Sequence, residues 1–259
     1  MIGRLFRKKN PSDNPSEEHT SPEPGRTLPF TTDLHSHLIP GIDDGSPDLS
    51  TSLDLLRRLE EVGYRRLVIT PHVMADSYRN STRTILEGLE RLKAAAAEAG
   101  IGLELHAAAE YYLDEEFFHR LERGDLLTIG ERWVLFETSY YNEPLGLEER
   151  IYEITARGYR PMLAHPERYR YVRERTAFYG RLREMGVGFQ VNINSLGGYY
   201  GRDAREKAEW LAERGWIDFL GSDTHGAKQV EFLQKTIREG RVERVLERNS
   251  VGNDHLVLD

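Results

Sequence analysis

From about residue 29 the chain alternates between two kinds of pattern. Short apolar runs, often β-branched, end in a polar cluster, and each is followed by a longer stretch with helical spacing of its apolar residues. Seven such runs are present: LPFTTDLHSH, YRRLVITPH, LELHAAAEYY, WVLFETSY, YRPMLAHPERY, GFQVNINS and IDFLGSDTH. The intervening stretches carry helix punctuation. SPDLSTSLDLLRRLEEVG predicts a helix capped by Ser46, with Pro47 at its first position and Gly63 as its stop. STRTILEGLERLKAAAAEAG predicts a second, from a Ser81 cap to Gly100, and REKAEWLAERG and VEFLQKTIREG repeat the Gly-terminated form. Strand–helix alternation implies a parallel α/β sheet. Seven units without a glycine-rich dinucleotide loop favour a closed or distorted (β/α)7 barrel over an open doubly wound sheet. Residues 29–259 are expected to form this domain. Residues 1–28, rich in Pro, Ser and acids, read as a disordered tail that begins with a small basic patch, RLFRKK.

In α/β sheets, sites are built at the C-terminal ends of the strands. Those ends are unusual here. The first run ends in His35 and His37, and the loop after it carries Asp44. The second ends in His72, the third in Glu110, the fourth in Glu137, the fifth in His165, and the seventh in Asp223 and His225. The sixth ends in Asn192, Asn194 and Ser195, which are poor ligands. Singly, a strand-end histidine is most often a packed or solvated residue, and a lone glutamate is most often a solvated loop acid. The combination alters that balance. Five of the nine histidines stand at equivalent places, and HxH and DxH spacings put alternate side chains on one side of a strand. Four carboxylates gathered there would repel one another unless cations neutralised them. A multinuclear metal site is the economical reading. Two divalent ions would balance four carboxylates, and three would leave a positive remainder suited to a phosphate ester. Mixed imidazole and carboxylate ligands suit Mn, Zn or Fe. Clustered divalent ions generate hydroxide near neutral pH and clamp phosphoryl oxygens during in-line displacement. A cation on those oxygens would add to this. Arg168, three residues after His165, is the first candidate, with Arg79 and Lys228 behind it.

The strings DLHSHLIPGIDDG, TPH, AAEYYLD, FETS, AHPERY and GSDTH resemble the polymerase-and-histidinol-phosphatase (PHP) superfamily. They are most similar to its branch of bacterial tyrosine phosphatases from capsule and exopolysaccharide loci, the CpsB/YwqE type. The resemblance runs from about residue 31 to 250. It implies a distorted seven-stranded barrel and a trinuclear, usually manganese-dependent, site. One metal would be held by His35, His37, Glu110 and Asp223, a second by Glu110, Glu137 and His165, and a third by Asp44, His72 and His225. Asp33 would orient a histidine, and Arg168, with Asp44 and His225 beside it, would serve catalysis on the bound phosphate. The implied substrate is phosphotyrosine on the tyrosine-rich tail of a membrane-associated kinase that drives polysaccharide export. The chain departs from the pattern in having HVMADSYRN after the second run and only Lys228 after SDTH. Both departures bear on substrate contacts rather than on the metals.

Composition narrows the alternatives. There is no cysteine, which removes disulfides, thiolate metal sites and the cysteine nucleophile of other tyrosine phosphatases. The net charge of −8 disfavours binding to nucleic acid. No apolar run is long enough to span a membrane and no secretory signal is visible, so a cytoplasmic protein is expected. Two rivals remain. One is a small-molecule phosphatase of the same fold, for instance on histidinol phosphate. The other is a metal-stabilised scaffold without activity. A peptide-borne ring wants an open, partly aromatic rim, and Tyr111, Tyr112, Tyr140, Tyr141, Tyr199 and Tyr200 all follow strand ends. Packing over the barrel top explains them equally well.

Overall fold

A computed structural model describes residues 27–258. The expected tail therefore lies outside the described residues except for Arg26's two successors, and the second of these, Leu28, is already buried in the core. The second apolar run forms two strand segments, β2 (Arg66–Ile69) and β3 (His72–Val73), as does the third, β4 (Glu104–Ala107) and β5 (Glu110–Tyr112). The other runs form one each: β1 (Thr32–Asp33), β6 (Trp133–Glu137), β7 (Arg160–Ala164), β8 (Gly188–Asn192) and β9 (Phe219–Gly221). All pairs are parallel, in the orders β1-β2-β4 and β3-β5-β6-β7-β8-β9.

Among the described residues, seven continuous strands in one closed barrel are thus not what is observed; nine segments fall in two sheets. The division has a local cause. Pro71 carries no N–H, so the ladder of the second run breaks there. The break does not change register: Arg66 pairs with Glu104 below it and His72 with Glu110 above it, at the same offset. Ala108 N–H donates to the Ile69 carbonyl and Glu110 N–H to the Pro71 carbonyl, carrying the pairing across the gap. The remaining neighbours, β1 and β9, share no ladder. They meet beyond their ends in a single bridge, Ser36 with Thr224. Lower down, the buried Asn253 side chain spans the seam. Its amide N–H groups donate to the Thr32 and Leu220 carbonyls, and its oxygen accepts from Leu220 N–H.

Strand faces alternate as the pleat requires. Outward residues such as Leu67, Ile69, Val134, Phe136, Leu163, Phe189, Val191 and Leu220 join a large core under the helices. Inward residues Val68, Ala108, Trp133, Leu135, Met162, Ala164 and Phe219 form a smaller apolar cluster with Leu34, Ile129 and Leu256. The helices supply the outer half of the packing. α1 (Leu49–Val62) buries Leu55, Leu56, Leu59 and Val62, each worth about 1.5–3 kcal/mol against exposure. Its cap is Asp48, which accepts from Thr51 N–H at 2.8 Å, not the expected Ser46. Ser46 is held back in the loop, its N–H on the His37 carbonyl and its hydroxyl on the Asp48 carbonyl. Pro47 accordingly precedes the helix. Ser81 caps α2 (Thr82–Glu98) as expected, and Gly63 and Gly100 both follow their helices with positive φ. The remaining helices are α3 (Glu115–Arg123), α4 (Leu147–Ala156), α5 (Arg175–Glu184), α6 (Ile193–Gly197), α7 (Arg202–Glu213), α8 (Ala227–Arg238) and α9 (Arg241–Leu246).

Candidate metal centre

Because inward positions repeat every second residue, three columns change character as they climb. Trp133 and Leu135 lead to Glu137, Ala108 to Glu110, and Phe219 and Gly221 to Asp223. The pleat therefore delivers three carboxylates above an apolar floor. His165 and Asp223 have φ of 34° and 51°, in the left-handed region that non-glycine residues rarely adopt. Both are among the sequence-predicted ligands, and strain of this kind clusters where surroundings hold a functional residue in place.

All nine expected ligands come together. Donor atoms lie within 4.8 Å of one another in four overlapping groups: His37, Asp44, His72 and His225; His35, Glu110 and His165; His35, His37 and Asp223; His72, Glu110 and Glu137. These groups overlap the implied three-metal partition without reproducing it. His37 joins the Asp44 group because its ring stacks on His225 with centroids 3.9 Å apart, and Glu137 sides with His72.

The fit to cations rests on the polar atoms themselves. Glu110 is fully buried, and its Oε2 lies 3.1 Å from His72 Nδ1, 3.2 Å from His35 Nε2 and 3.5 Å from His37 Nε2. Yet neither Glu110 Oε2 nor His72 Nδ1 has a hydrogen-bond partner. Buried polar atoms are seldom left so. Atoms that approach closely without hydrogen-bond alignment are arranged as donors aimed at a shared third body. The electrostatics agree. Burial opposes charge on His35 and His72, but Glu110 with Asp223 raises the first to about 9, and Glu110 with Asp44 and Glu137 raises the second to about 12. Burial would lift the carboxyl of Glu110, but His35 and His72 hold it well below its usual range. Hydrogen bonds from His225 and His72 hold Asp44 low as well. A site that so favours positive charge favours divalent cations by the same field.

Supporting residues fix which atoms face inward. His35 Nδ1 meets Gln190 Oε1 at 2.7 Å and His37 Nδ1 meets Asp43 Oδ2 at 2.9 Å. In the tautomers that donate there, both Nε2 lone pairs are left for a cation. Asp223 divides its work: Oδ2 accepts from Asn192 Nδ2 (2.7 Å), Arg168 Nη1 (2.9 Å) and the Tyr200 hydroxyl (3.2 Å), while Oδ1 faces His35, His37 and His225. Glu167, fully buried and pushed up by burial, accepts from Ser195 and from Asn192 N–H, tying the His165–Arg168 turn to β8. Two glycines admit the histidines. A Cβ on Gly45 would stand 2.1 Å from the His37 carbonyl, and one on Gly221 would stand 2.8 Å from His35 Cβ. Gln190 and Glu167 were not singled out from sequence, since a strand amide and a loop acid carry no ligand signature; the DDG and LGSD strings were the only trace of the two close approaches.

Other expectations need correction. Asp33 does not reach a histidine ring. It accepts from the Ser222 N–H (2.9 Å) and hydroxyl (2.5 Å), and touches His35 only at the backbone N–H. A cavity of about 410 Å³ opens over the ligands. It is lined also by Met74, Tyr78, Tyr140, Arg168, Tyr200 and Gln229. Arg168 lies between the Tyr140 and Tyr200 rings, 4.6 and 4.2 Å from their centroids. Arg79 and Lys228 are exposed and outside this lining. Arg79 is bound back on its own loop, to the Ala75 carbonyl. At the start of α8 it is Gln229, not Lys228, that turns inward, bonding both the Asp223 carbonyl and His225 N–H. Of the tyrosines, Tyr140 and Tyr200 line the cavity. Tyr111 is buried with its hydroxyl on Leu127 N–H. Tyr78, unremarked in the sequence, stacks on His72.

The model of the family described as capsular polysaccharide synthesis, CpsB/CapC, matches residues 31–250. This chain belongs to that family. Among CpsB/CapC relatives, tyrosine-protein phosphatase YwqE of Bacillus subtilis is 29% identical over 201 residues, 77% of this chain and 79% of that protein. Tyrosine-protein phosphatase CpsB of Streptococcus pneumoniae is 25% identical over 199 residues, 74% and 82% of the two chains. A crystal structure from the study of YwqE and CpsB, described as unique metal-dependent tyrosine phosphatases, superimposes with a TM-score of 0.74 at 25% identity. It covers 88% of this chain and 99% of that one. No helix among the described residues is long and apolar enough to cross a membrane.

Proposed function

We propose that this protein is a metal-dependent protein-tyrosine phosphatase, with its domain over residues 29–259 forming a distorted seven-stranded barrel. The observation that carries the reading is that nine His, Asp and Glu side chains cluster, seven of them lining one cavity together with a guanidinium and His35 and His37 lying beneath, in a chain of the CpsB/CapC family. The nine ligands are His35, His37, Asp44, His72, Glu110, Glu137, His165, Asp223 and His225, holding up to three divalent ions, with manganese favoured over zinc or iron. Bound there, such ions supply Lewis acidity toward phosphoryl oxygens and lower the pKa of water.

The chain's own residues do the rest. Arg168 stands at the cavity between two aromatic faces, where a charge-assisted, bidentate grip on a phosphate suits its planar fork. Its contact with Asp223 Oδ2 keeps it aimed until a phosphate competes for it. Tyr140 and Tyr200 line the entrance and offer ring faces to an aryl ester. His225 and Asp44 face each other across 3.5 Å on the cavity side of the cluster, where together they would hold a cation beside the incoming phosphate. The substrate we favour is a phosphotyrosine protein in the cytoplasm, the tail of a membrane-associated kinase of polysaccharide export.

The test is phosphate release by chelator-stripped protein with Mn, Zn, Fe or Mg restored. Substrates are a phosphotyrosine peptide, a phosphoserine peptide and histidinol phosphate. Metal-restored turnover confined to the phosphotyrosine peptide is expected. Turnover of histidinol phosphate alone overturns the substrate, and metal binding without any turnover overturns the activity. Arg168→Ala should lower kcat/KM with metal content unchanged; loss of metal instead would refute its role on phosphate.

A further inference from the structure

Tyr140, Arg168 and Tyr200 line two hollows, not one. On one side is the cavity over the metal ligands. On the other is a groove of about 690 Å³ that runs on past Tyr141, Arg170 and Arg173. Arg170 lies over the Tyr141 ring at 5.3 Å, and Tyr141 is itself 65% exposed. Among the described residues neither Arg170 nor Arg173 forms an ion pair. The one carboxylate lining the groove, Asp203, is already taken by Lys207 Nζ at 2.7 Å, and Arg202 by Glu206. The groove is thus cationic, aromatic-walled and adjoins, across Tyr140, Arg168 and Tyr200, the cavity where the phosphate would sit. Exposed arginines are ordinary; what distinguishes these two is that position. The spacing also suits a peptide. Arg168 and Arg170 are separated along the backbone by at most about 7 Å, and an extended substrate advances about 3.3 Å per residue.

Resting on the phosphotyrosine reading, we propose that this groove is a subsite for acidic residues flanking the phosphotyrosine, with Arg170 and Arg173 as specificity-determining residues. Their carboxylate partners sit one to three residues from the esterified tyrosine, and the Tyr141 ring supports the backbone between. Such contacts are exposed and act on binding more than on the bond broken.

The experiment compares kcat/KM of the metal-loaded enzyme on matched phosphotyrosine peptides, flanked on both sides by glutamate, glutamine or lysine. The expected preference for glutamate over glutamine is about 5-fold, carried by KM, and shrinks at high salt. In the Arg170→Ala, Arg173→Ala double variant the ratio should fall to about 1 at equal metal content, and Arg170→Glu should turn the preference toward lysine flanks. Equal rates on all peptides in the parent enzyme, or a ratio unmoved in the double variant, overturns the subsite while phosphotyrosine hydrolysis stands. No turnover of any phosphotyrosine peptide, with histidinol phosphate hydrolysed, overturns both.

Discussion

Along β6 the outward residues are Val134 and Phe136, and the inward ones are Trp133, Leu135 and Glu137. Both faces are buried, yet they solve different problems. The outward face meets helices, is apolar throughout, and owes its stability to area and fit. The inward face is apolar only at its lower end. At the upper end it gives way to carboxylates and imidazoles whose buried charges are held by one another and by amides. The outer core is the kind of packing that volume changes disturb in proportion. The inner column is a floor that excludes water beneath a charged cluster, and there a single atom decides the outcome.

That contrast breaks most sharply at Glu110. Glu110→Gln keeps shape and removes one charge from the centre of three imidazoles. We expect kcat/KM to fall by at least about 1000-fold with loss of bound metal, read by metal analysis beside kinetics; a variant that keeps both would refute Glu110 as the central ligand. Phe136→Ala strikes the outer face. It should cost about 3–5 kcal/mol in denaturant unfolding while kcat per folded molecule is retained. A catalytic defect without instability would mean the two faces are not separable. Gln190→Ala tests the support of the inner column. With its partner gone, His35 loses its fixed orientation, and metal affinity should drop about 10- to 100-fold, measured by competition with a chromophoric chelator. The smallest effects belong to Arg79→Ala and Lys228→Ala. Both should stay within about 2-fold of the parent on a phosphotyrosine peptide, as exposed positions do; a larger loss from either would return that residue to the substrate site.

The outer face and the clustered His, Asp and Glu side chains were legible for the same reason: both follow from period-2 alternation read to its end. Seven apolar runs become the strands; the His, Asp and Glu residues that close six of them are gathered by the structure, while the sixth closes in Asn192 and Asp44 comes from a loop. What the sequence hid are effects of contact rather than of period. The Ser46–Asp48 choice of cap turned on a hydrogen bond from Ser46 N–H to the distant His37 carbonyl. The split of the second strand came from Pro71, legible in hindsight, but its unbroken register was not. Gln190, Asn192 and Glu167 look like ordinary strand and loop polar residues, and only the fold brings their amide and carboxyl groups onto His35, Asp223 and Ser195. Arg79 and Lys228 stand outside the cavity lining because proximity in sequence to a strand end says little about which way a loop or a helix turns.

The seam between β1 and β9, bridged by Ser36 with Thr224 and laced by Asn253, joins the first and last strands among the described residues. Translation runs in one direction, so His35 and His37 leave the ribosome nearly two hundred residues before Asp223 and His225. Until Asp223 and His225 have been made, the nascent chain holds only seven of the nine clustered His, Asp and Glu side chains, and Asn253 is not yet there to draw the edges together. The cluster can therefore close only after most of the described domain has been synthesised.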